Sequence, residues 1–332
     1  MGIIAEEQAI VKQVNAVWRE KKTAARVMSS RLARLGYRGR AARMATCADY
    51  LIARKCPSCG RVESGTASYC RDRLCPVCSW RLSQRRFGEM CNVLEALREG
   101  LIKENCHASM LTLTLRNCEP GQLGHTIEAM SKAWHNISRK VIMKSVVGWA
   151  RNLEITYNKA RRDFHPHFHI LLLWRGEANV SGAFLREITA EWSAALGLDY
   201  KAIVNHEEAY KMIDGEKVEA DIAGDMVSVI LECTKYIIKD SSLSKMPDEL
   251  LDVFIQQVKG FRFVSYGKEI KKARAALGYK DETLEEDDTP VDYSVKCSCG
   301  SEMQSMLLRW AGGEYVQAPG GEYQYRKPVS VL

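Results

Sequence analysis

The sequence predicts an α+β fold: a central antiparallel sheet flanked by helices, with a cysteine-rich module on its N-terminal side. Segments whose apolar residues alternate as in strands are mixed with segments of helical spacing. Two predicted strands, residues 147–157 and 164–174, are separated only by a polar turn, which favours an antiparallel hairpin. Two Cys-x-x-Cys pairs precede the first predicted strand of the sheet.

The N-terminal region, residues 1–46, is predicted to be helical and basic. It is rich in Ala, Arg and Lys, with one break at residues 36–39. Residues 1–86 contain 18 Lys and Arg against 6 Asp and Glu, a net charge of +12, so the remainder sums to −5 of the total +7. Such an uneven distribution is typical of a surface that binds a phosphate-rich partner.

Residues 47–80 are predicted to form a zinc-binding module. Twelve cysteines in a chain without a recognisable signal peptide favour metal ligands over disulfides. Fifteen residues separate the two Cys-x-x-Cys pairs, the spacing of a four-thiolate zinc site, so the predicted ligands are Cys56, Cys59, Cys75 and Cys78. Further cysteines have open roles: Cys47 and Cys70 as substitute ligands, and Cys297 and Cys299 as a pair without an obvious partner. The isolated cysteines are predicted core residues: Cys91, Cys106, Cys118 and Cys233.

Residues 81–280 are predicted to form the main domain. The pattern predicts these elements in order: a helix at 80–104, a strand at 109–116, a helix at 122–144, the hairpin strands, a helix at 181–196, a strand at 201–207, helices at 225–239 and 247–258, and a strand at 261–266. Residues 281–332 are predicted to be an acidic linker followed by a small β-rich appendage.

The second hairpin strand contains three histidines at alternate positions. Because side chains alternate along a strand, His165, His167 and His169 face one way, and the apolar residues between them face a core. If the turn centres near residue 161, Glu154 lies opposite residues 167–169. Imidazoles with a carboxylate accept Mn²⁺ or Mg²⁺, with His165 as the rival third ligand.

A predicted helix further along the chain contains a candidate nucleophile. Glu232 and Tyr236 are four residues apart and share a helical face, and Lys239 lies close to that face. A tyrosine beside a carboxylate and a lysine can attack a phosphate that a metal has polarised. By itself, this spacing is also common on ordinary helix surfaces.

Four segments together resemble rolling-circle replication initiators of small bacterial plasmids, in the HUH endonuclease superfamily. They are TLTLRN (112–117), LEITYN with HPHFHILLL, ECTKYIIKD, and the cysteine segment CRDRLCPVCSWRLSQRR. FRFVSYGKEIKKAR also resembles the segment after the tyrosine in that group. The similarity covers residues 47–280 and is strongest to the branch with Glu, three residues and a single Tyr.

The resemblance implies a role for each matching residue. His167 and His169 correspond to the two histidines of the HUH motif, and Glu154 to the acidic residue that completes metal binding. Tyr236 corresponds to the nucleophile, Glu232 to the carboxylate used at termination, and Lys239 to the lysine that follows. The implied partners are single-stranded or hairpin origin DNA and a host helicase and polymerase. Independently of the resemblance, the lack of a long apolar run and of a recognisable signal peptide predicts a cytoplasmic protein with no membrane partner.

Two alternatives remain at this point. A relaxase or single-strand transposase shares the HUH chemistry, but relaxases tend to place the tyrosine before the histidines, and the small transposases lack the cysteine module. A non-enzymatic, zinc-dependent DNA-binding regulator would need only the basic region and the cysteines. It would leave the histidine strand and Tyr236 without a role.

Overall fold

A computed structural model describes residues 2–175, 182–208, 210–213, 216–219, 230, 246–280 and 296–318. The chain divides into two compact units. One unit comprises residues 1–80 together with 283–332, and the other comprises residues 81–282. Within the described ranges, no helix is long and apolar enough to cross a membrane.

The second unit is built on a five-stranded antiparallel sheet. Its strands are β3 (Cys106–Thr114), β4 (Val146–Asn158), β5 (Asp163–Arg175), β6 (Val204–Glu208) and β9 (Val264–Gly267). Their order is β6-β3-β5-β4-β9, so the hairpin of β4 and β5 occupies the middle of the sheet. A separate two-stranded ribbon is formed by β7 (Tyr210–Ile213) and β8 (Glu216–Glu219).

Helices of the second unit cover the sheet because each presents an apolar stripe. Those helices are α3 (Pro76–Lys103, which begins in the first unit), α4 (Leu123–Ile137), α5 (Gly182–Ala195), α6 (Asp248–Gln257) and α7 (Lys268–Ala276). In α4 the buried residues recur every three or four positions, from Leu123 through Ile127 and Met130 to Trp134.

The side chains of β5 divide between two apolar layers. Phe168 packs towards Trp192 of α5. On the opposite face, Leu171 and Leu173 are buried in a cluster with Met90 of α3 and Ile270 of α7. Ile230 is 3 % exposed and belongs to this second cluster. The odd-numbered histidines of β5 share the face of Leu171 and Leu173.

The first unit combines two helices with a four-stranded antiparallel sheet. The helices are α1 (Gly2–Arg34) and α2 (Arg38–Ala45), and the strands are β1 (Tyr50–Lys55), β2 (Val62–Ala67), β10 (Gln304–Ala311) and β11 (Glu314–Gln317). The strand order is β11-β10-β1-β2. Trp18 of α1 is fully buried, with its ring edge-on to those of Trp80 and Tyr315.

The C-terminal strands differ from the predicted appendage. Tyr50 pairs with Arg309 and Lys55 with Gln304, so β10 is an inner strand of the sheet that contains the cysteine module. Local patterns cannot reveal this pairing because some 250 residues separate its partners.

Most predicted elements of the second unit are present, with bounds shifted by a few residues. The predicted helix at 122–144 is shorter, ending at Ile137 and followed by a single 3₁₀ turn at Val141–Met143. The strands β1, β2, β7 and β8 and the helix α7 were not predicted from the sequence. The predicted helix 225–239, apart from Ile230, and the acidic stretch 281–288 lie outside the described residues.

Candidate active site and cysteine clusters

The hairpin brings Glu154, His167 and His169 together. Glu154 on β4 pairs directly with His167 on β5, and Asn152 pairs with His169. Oε2 of Glu154 lies 3.2 Å from Nε2 of His169 and 3.6 Å from Nε2 of His167. The Glu154 carboxylate is 4 % exposed and the two imidazoles are 11 % and 16 % exposed, so the three groups form a nearly buried polar site.

Hydrogen bonds at the far ring nitrogens hold both imidazoles in this orientation. Nδ1 of His167 lies 3.2 Å from the backbone oxygen of His165, which can only accept, so Nδ1 carries the proton in this contact. Nδ1 of His169 lies 3.3 Å from Oγ1 of Thr112 on β3. Protonation at Nδ1 leaves the Nε2 lone pair available to a metal, the usual arrangement of metal-binding histidines.

His165 lies beside this group without joining it. Its ring stacks on that of His167 with centroids 5.2 Å apart, but its nitrogens are not among the donor atoms that converge on Glu154. Burial lowers the pKa of His165 below its ordinary value, and the neighbouring His167 adds to the effect. Of the two candidates for a third ligand, Glu154 therefore has the better placement.

The donor set fits a divalent cation with open positions. The three donor atoms lie within 4.8 Å of one another. Adjacent ligands of an octahedral ion with bonds of 2.1 Å are about 3.0 Å apart, close to the separations from Glu154 Oε2 to the two Nε2 atoms. Three protein ligands leave positions for water or a phosphate oxygen, which is the pattern of a catalytic site.

The cysteines form two four-thiol groups whose membership differs from the predicted site. The N-terminal cluster comprises Cys47, Cys70, Cys75 and Cys78, and the bridging cluster comprises Cys56, Cys59, Cys297 and Cys299. The two Cys-x-x-Cys pairs therefore belong to separate groups. The strand pairing is the physical reason: β1 and β10 run side by side, so the pair that follows β1 meets the pair that precedes β10.

The N-terminal cluster is supported by buried polar contacts. The Lys22 ammonium is fully buried, donates to the backbone oxygen of Cys47 at 2.5 Å, and lies 2.6 Å from a carboxylate oxygen of Asp49. Arg40 makes a two-pronged contact with Asp72, with N–O distances of 2.7 and 2.9 Å. The Asp72 hydrogen bond raises the pKa of Arg40. Two basic residues of the N-terminal region, Lys22 and Arg40, therefore form ion pairs within the protein.

Thiol contacts also perturb the acidity of the cluster. Hydrogen bonds from the neighbouring thiols, Cys47 first, place the pKa of Cys70 far below that of an ordinary thiol. The same contacts, again with Cys47 first, raise the pKa values of Cys75 and Cys78, so the protons are shared unevenly within the cluster. A bound metal ion would displace them.

Three predicted site residues lie outside the described residues. They are Glu232, Tyr236 and Lys239. Ile230, two positions before Glu232, is described and packs on the sheet face that carries the histidines.

Comparisons with known proteins identify the class of the molecule as a replication protein. The family model described as "Replication protein" matches residues 61–315. A "Protein rep" from Bacillus amyloliquefaciens is 31 % identical over 284 residues, covering 80 % of this chain and 83 % of that protein. No solved structure matches.

Two further relatives share the description. A "Protein rep" from a Bacillus species is 31 % identical over 257 residues, covering 74 % of this chain and 78 % of that protein. A "Protein rep" from Streptococcus pneumoniae serotype 2 is 28 % identical over 270 residues, covering 78 % and 79 %. The chain belongs to the replication protein family, and its recognition as a plasmid rolling-circle replication initiator is confirmed.

Proposed function

We propose that this initiator is a metal-dependent DNA endonuclease and strand transferase that nicks one strand at a plasmid origin. The observation that carries the proposal is the buried Glu154 carboxylate at 3.2 and 3.6 Å from two imidazoles. Burying a carboxylate between two polar rings is costly unless the groups are paired or bind an ion. A non-enzymatic DNA-binding regulator would have no use for this arrangement.

Glu154, His167 and His169 would hold Mn²⁺ or Mg²⁺. When bound, such an ion polarises the scissile phosphate and makes its phosphorus more electrophilic. His167 donates a hydrogen bond to the backbone oxygen of His165, and His169 is hydrogen-bonded to the Thr112 hydroxyl. These contacts would fix both imidazole rings before DNA arrives, so little reorganisation would be needed at the moment of reaction.

Tyr236 would be the nucleophile. Its phenol oxygen attacks the phosphorus, the bond to the 3′ oxygen breaks, and that oxygen takes up a proton. The products are a 5′-phosphotyrosine link and a free 3′-OH that primes synthesis.

Lys239 would act during this step, and Glu232 would act after it. Lys239 would stabilise the phenolate or the phosphate charge. Glu232 would later activate water or a hydroxyl for the cleavage that ends a round. Because a carboxylate cannot form the same ester as a second tyrosine, the final cut would differ chemically from the first and limit re-initiation.

The remaining partners follow from this role. The basic residues of α1 and α2 that remain exposed would contact origin DNA in its single-stranded or hairpin form. A host helicase and polymerase would extend the 3′-OH, and the reaction would take place in the cytoplasm, where plasmid DNA is copied. The N-terminal cluster would bind Zn²⁺ as a structural ion.

The test is covalent attachment to DNA. Purified protein is incubated with Mn²⁺ and single-stranded DNA from the region flanking its coding sequence, and adducts are resolved by denaturing electrophoresis. We expect an adduct with the wild type and none with Tyr236→Phe. The matched control is Tyr157→Phe, which keeps the ring contact with Phe164 in the hairpin. Absence of any adduct with every divalent metal would refute the proposal.

The role of Glu232 has a separate test. Glu232→Ala should form the adduct at a rate close to that of the wild type but accumulate it, because release is blocked. Multiple-turnover kinetics distinguish the two steps. Unchanged turnover would remove Glu232 from the mechanism.

A further inference from the structure

We propose that the bridging cluster, Cys56, Cys59, Cys297 and Cys299, is a second and independent zinc site that ties the C-terminal strands to the cysteine module. Its existence is not needed for the nuclease chemistry, and it does not depend on the proposed function.

The sulfur separations fit zinc and do not fit disulfides. Sγ of Cys56 lies 3.4 Å from Sγ of Cys299, and Sγ of Cys59 lies 3.5 Å from Sγ of Cys297. A disulfide requires about 2.05 Å. Four sulfurs at 2.3 Å from a tetrahedral ion are about 3.8 Å apart. The four sulfurs lie within 4.8 Å of one another, as a single ion requires.

Both turns have the shape that presents a pair of thiolates. The amide of Cys56 donates to the oxygen of Arg61, and the amide of Gly60 donates to the oxygen of Cys56. In the partner turn, the amide of Cys297 donates to the oxygen of Ser301, and that of Gly300 to the oxygen of Cys297. Gly60 and Gly300 have φ of +73° and +88°, a conformation that glycine adopts without strain.

Polar contacts join the two turns beside the sulfurs. The hydroxyls of Ser58 and Ser301 lie 2.7 Å apart, and the Arg61 guanidinium donates to Ser298 at 3.0 Å. The turns are therefore aligned by several groups besides the cysteines, and the site is preorganised for an ion.

The site connects distant parts of the chain. Cys56 directly follows β1, and Cys299 precedes β10, which pairs with β1. Zinc would close a loop of more than 230 residues that contains the whole second unit. An ion at this position would hold β10 and β11 against β1, because a cross-link removes most of the freedom the C-terminal segment has when detached.

The decisive measurement is metal stoichiometry in paired-cysteine variants. Protein passed through metal-free buffer is analysed for zinc by plasma mass spectrometry, and apoprotein is titrated with Co²⁺, whose thiolate charge-transfer band reports each four-sulfur site. We expect two ions in the wild type and one in Cys297→Ser/Cys299→Ser. Cys56→Ser/Cys59→Ser and the quadruple variant should also retain one ion, since all four residues serve one site.

The control variant loses two cysteines that belong to neither cluster. Cys91→Ala/Cys118→Ala removes two thiols outside both clusters and should retain two ions. Limited proteolysis should cut within residues 296–318 faster in Cys297→Ser/Cys299→Ser than in this control. One ion in the wild type, or two in Cys297→Ser/Cys299→Ser, would overturn the proposal. So would wild-type protein with no zinc at this cluster and four fewer titratable thiols, the signature of two disulfides.

Discussion

The histidine hairpin and the cysteine clusters offer two different donor sets for a metal ion in one chain. The hairpin offers two neutral imidazole nitrogens and one hard carboxylate oxygen. Three ligands would leave coordination positions of a Mn²⁺ or Mg²⁺ ion open. Each cysteine cluster offers four sulfurs, which would complete the coordination shell of one tetrahedral ion. An open site suits an ion that must touch a substrate, and a closed site suits an ion that holds the chain together.

The supporting contacts differ in the same way. In the hairpin, the register of the paired strands places the three donor groups, so their arrangement does not require an ion. In the clusters, the sulfurs come from turns, loops and, for Cys78, the first turn of α3. A bound ion would therefore cross-link segments whose strand pairing does not by itself fix the sulfur positions. Loss of metal should therefore abolish activity at the hairpin without unfolding it, whereas loss of metal from the cysteine clusters should unfold the cysteine module.

The largest effect is expected from His169→Ala. Loss of a ligand removes the stabilisation of the developing phosphate charge, and we expect adduct formation to fall by about 10³-fold. The thermal midpoint and the zinc content should remain close to those of the wild type. A large loss of stability in calorimetry would mean that the hairpin also depends on a metal for folding, as we expect for the cysteine clusters.

Cys75→Ser should produce the opposite pattern. It removes a buried ligand of the N-terminal cluster and leaves the remaining thiolates without a complete site, so we expect a loss of several kcal/mol in unfolding free energy of the first unit. Chemical denaturation followed by tryptophan fluorescence, with Trp18 and Trp80 as reporters, measures it. Cys91→Ala is the control. Equal stability of Cys75→Ser and Cys91→Ala would contradict a structural role for the cluster.

His206 is another imidazole of the five-stranded sheet, and it lies outside the group of Glu154, His167 and His169. His206 on β6 is 7 % exposed, its Nε2 lies 2.8 Å from Oγ of Ser109, and burial lowers its pKa to about 4. A depressed pKa means that the unfolded state binds the proton more readily. The stabilisation is therefore fully present above pH 6.5 and is lost as pH falls towards 4, by about 3 kcal/mol.

Replacing His206 checks this dependence. In His206→Gln the free energy of unfolding should fall less steeply between pH 6.5 and 4 than in the wild type. Denaturant midpoints over this range provide the measurement. Identical slopes in the two proteins would show that another group causes the pH dependence.

The smallest effect is expected from Thr112→Val. The substitution keeps the shape of the side chain but removes the hydroxyl beside Nδ1 of His169. We expect Mn²⁺ affinity to fall by about 10-fold, the lower end for loss of a contact that orients a ligand. Activity should recover at high Mn²⁺, in contrast with His169→Ala. Failure of added Mn²⁺ to rescue Thr112→Val would exclude an orienting role.

Local sequence patterns predicted the hairpin site better than the cysteine sites. Alternation along β5 and a short turn are sufficient to bring Glu154 opposite His167, because register follows from the turn. The cysteine partners follow from the pairing of β1 with β10, and no local pattern encodes a contact across more than 230 residues.

One signal for the second cysteine group was nevertheless present. Cys59 and Cys299 are each followed directly by a glycine that adopts a positive φ. A cysteine followed by a glycine of positive φ therefore occurs in both turns, as expected for two halves of one site. Thr112, by contrast, could not be recognised as a partner of His169 without knowing that β3 lies beside β5.

The distinction between a catalytic metal at the hairpin and structural zinc at the cysteine clusters is tested most directly by measuring metal content and nicking in the same sample. Protein passed through metal-free buffer is analysed for zinc and then assayed for adduct formation with and without added Mn²⁺. We expect the protein to retain zinc, to form no adduct without Mn²⁺, and to recover full activity when Mn²⁺ is restored. Adduct formation in the absence of added divalent metal, or activity that rises and falls with zinc content alone, would contradict it.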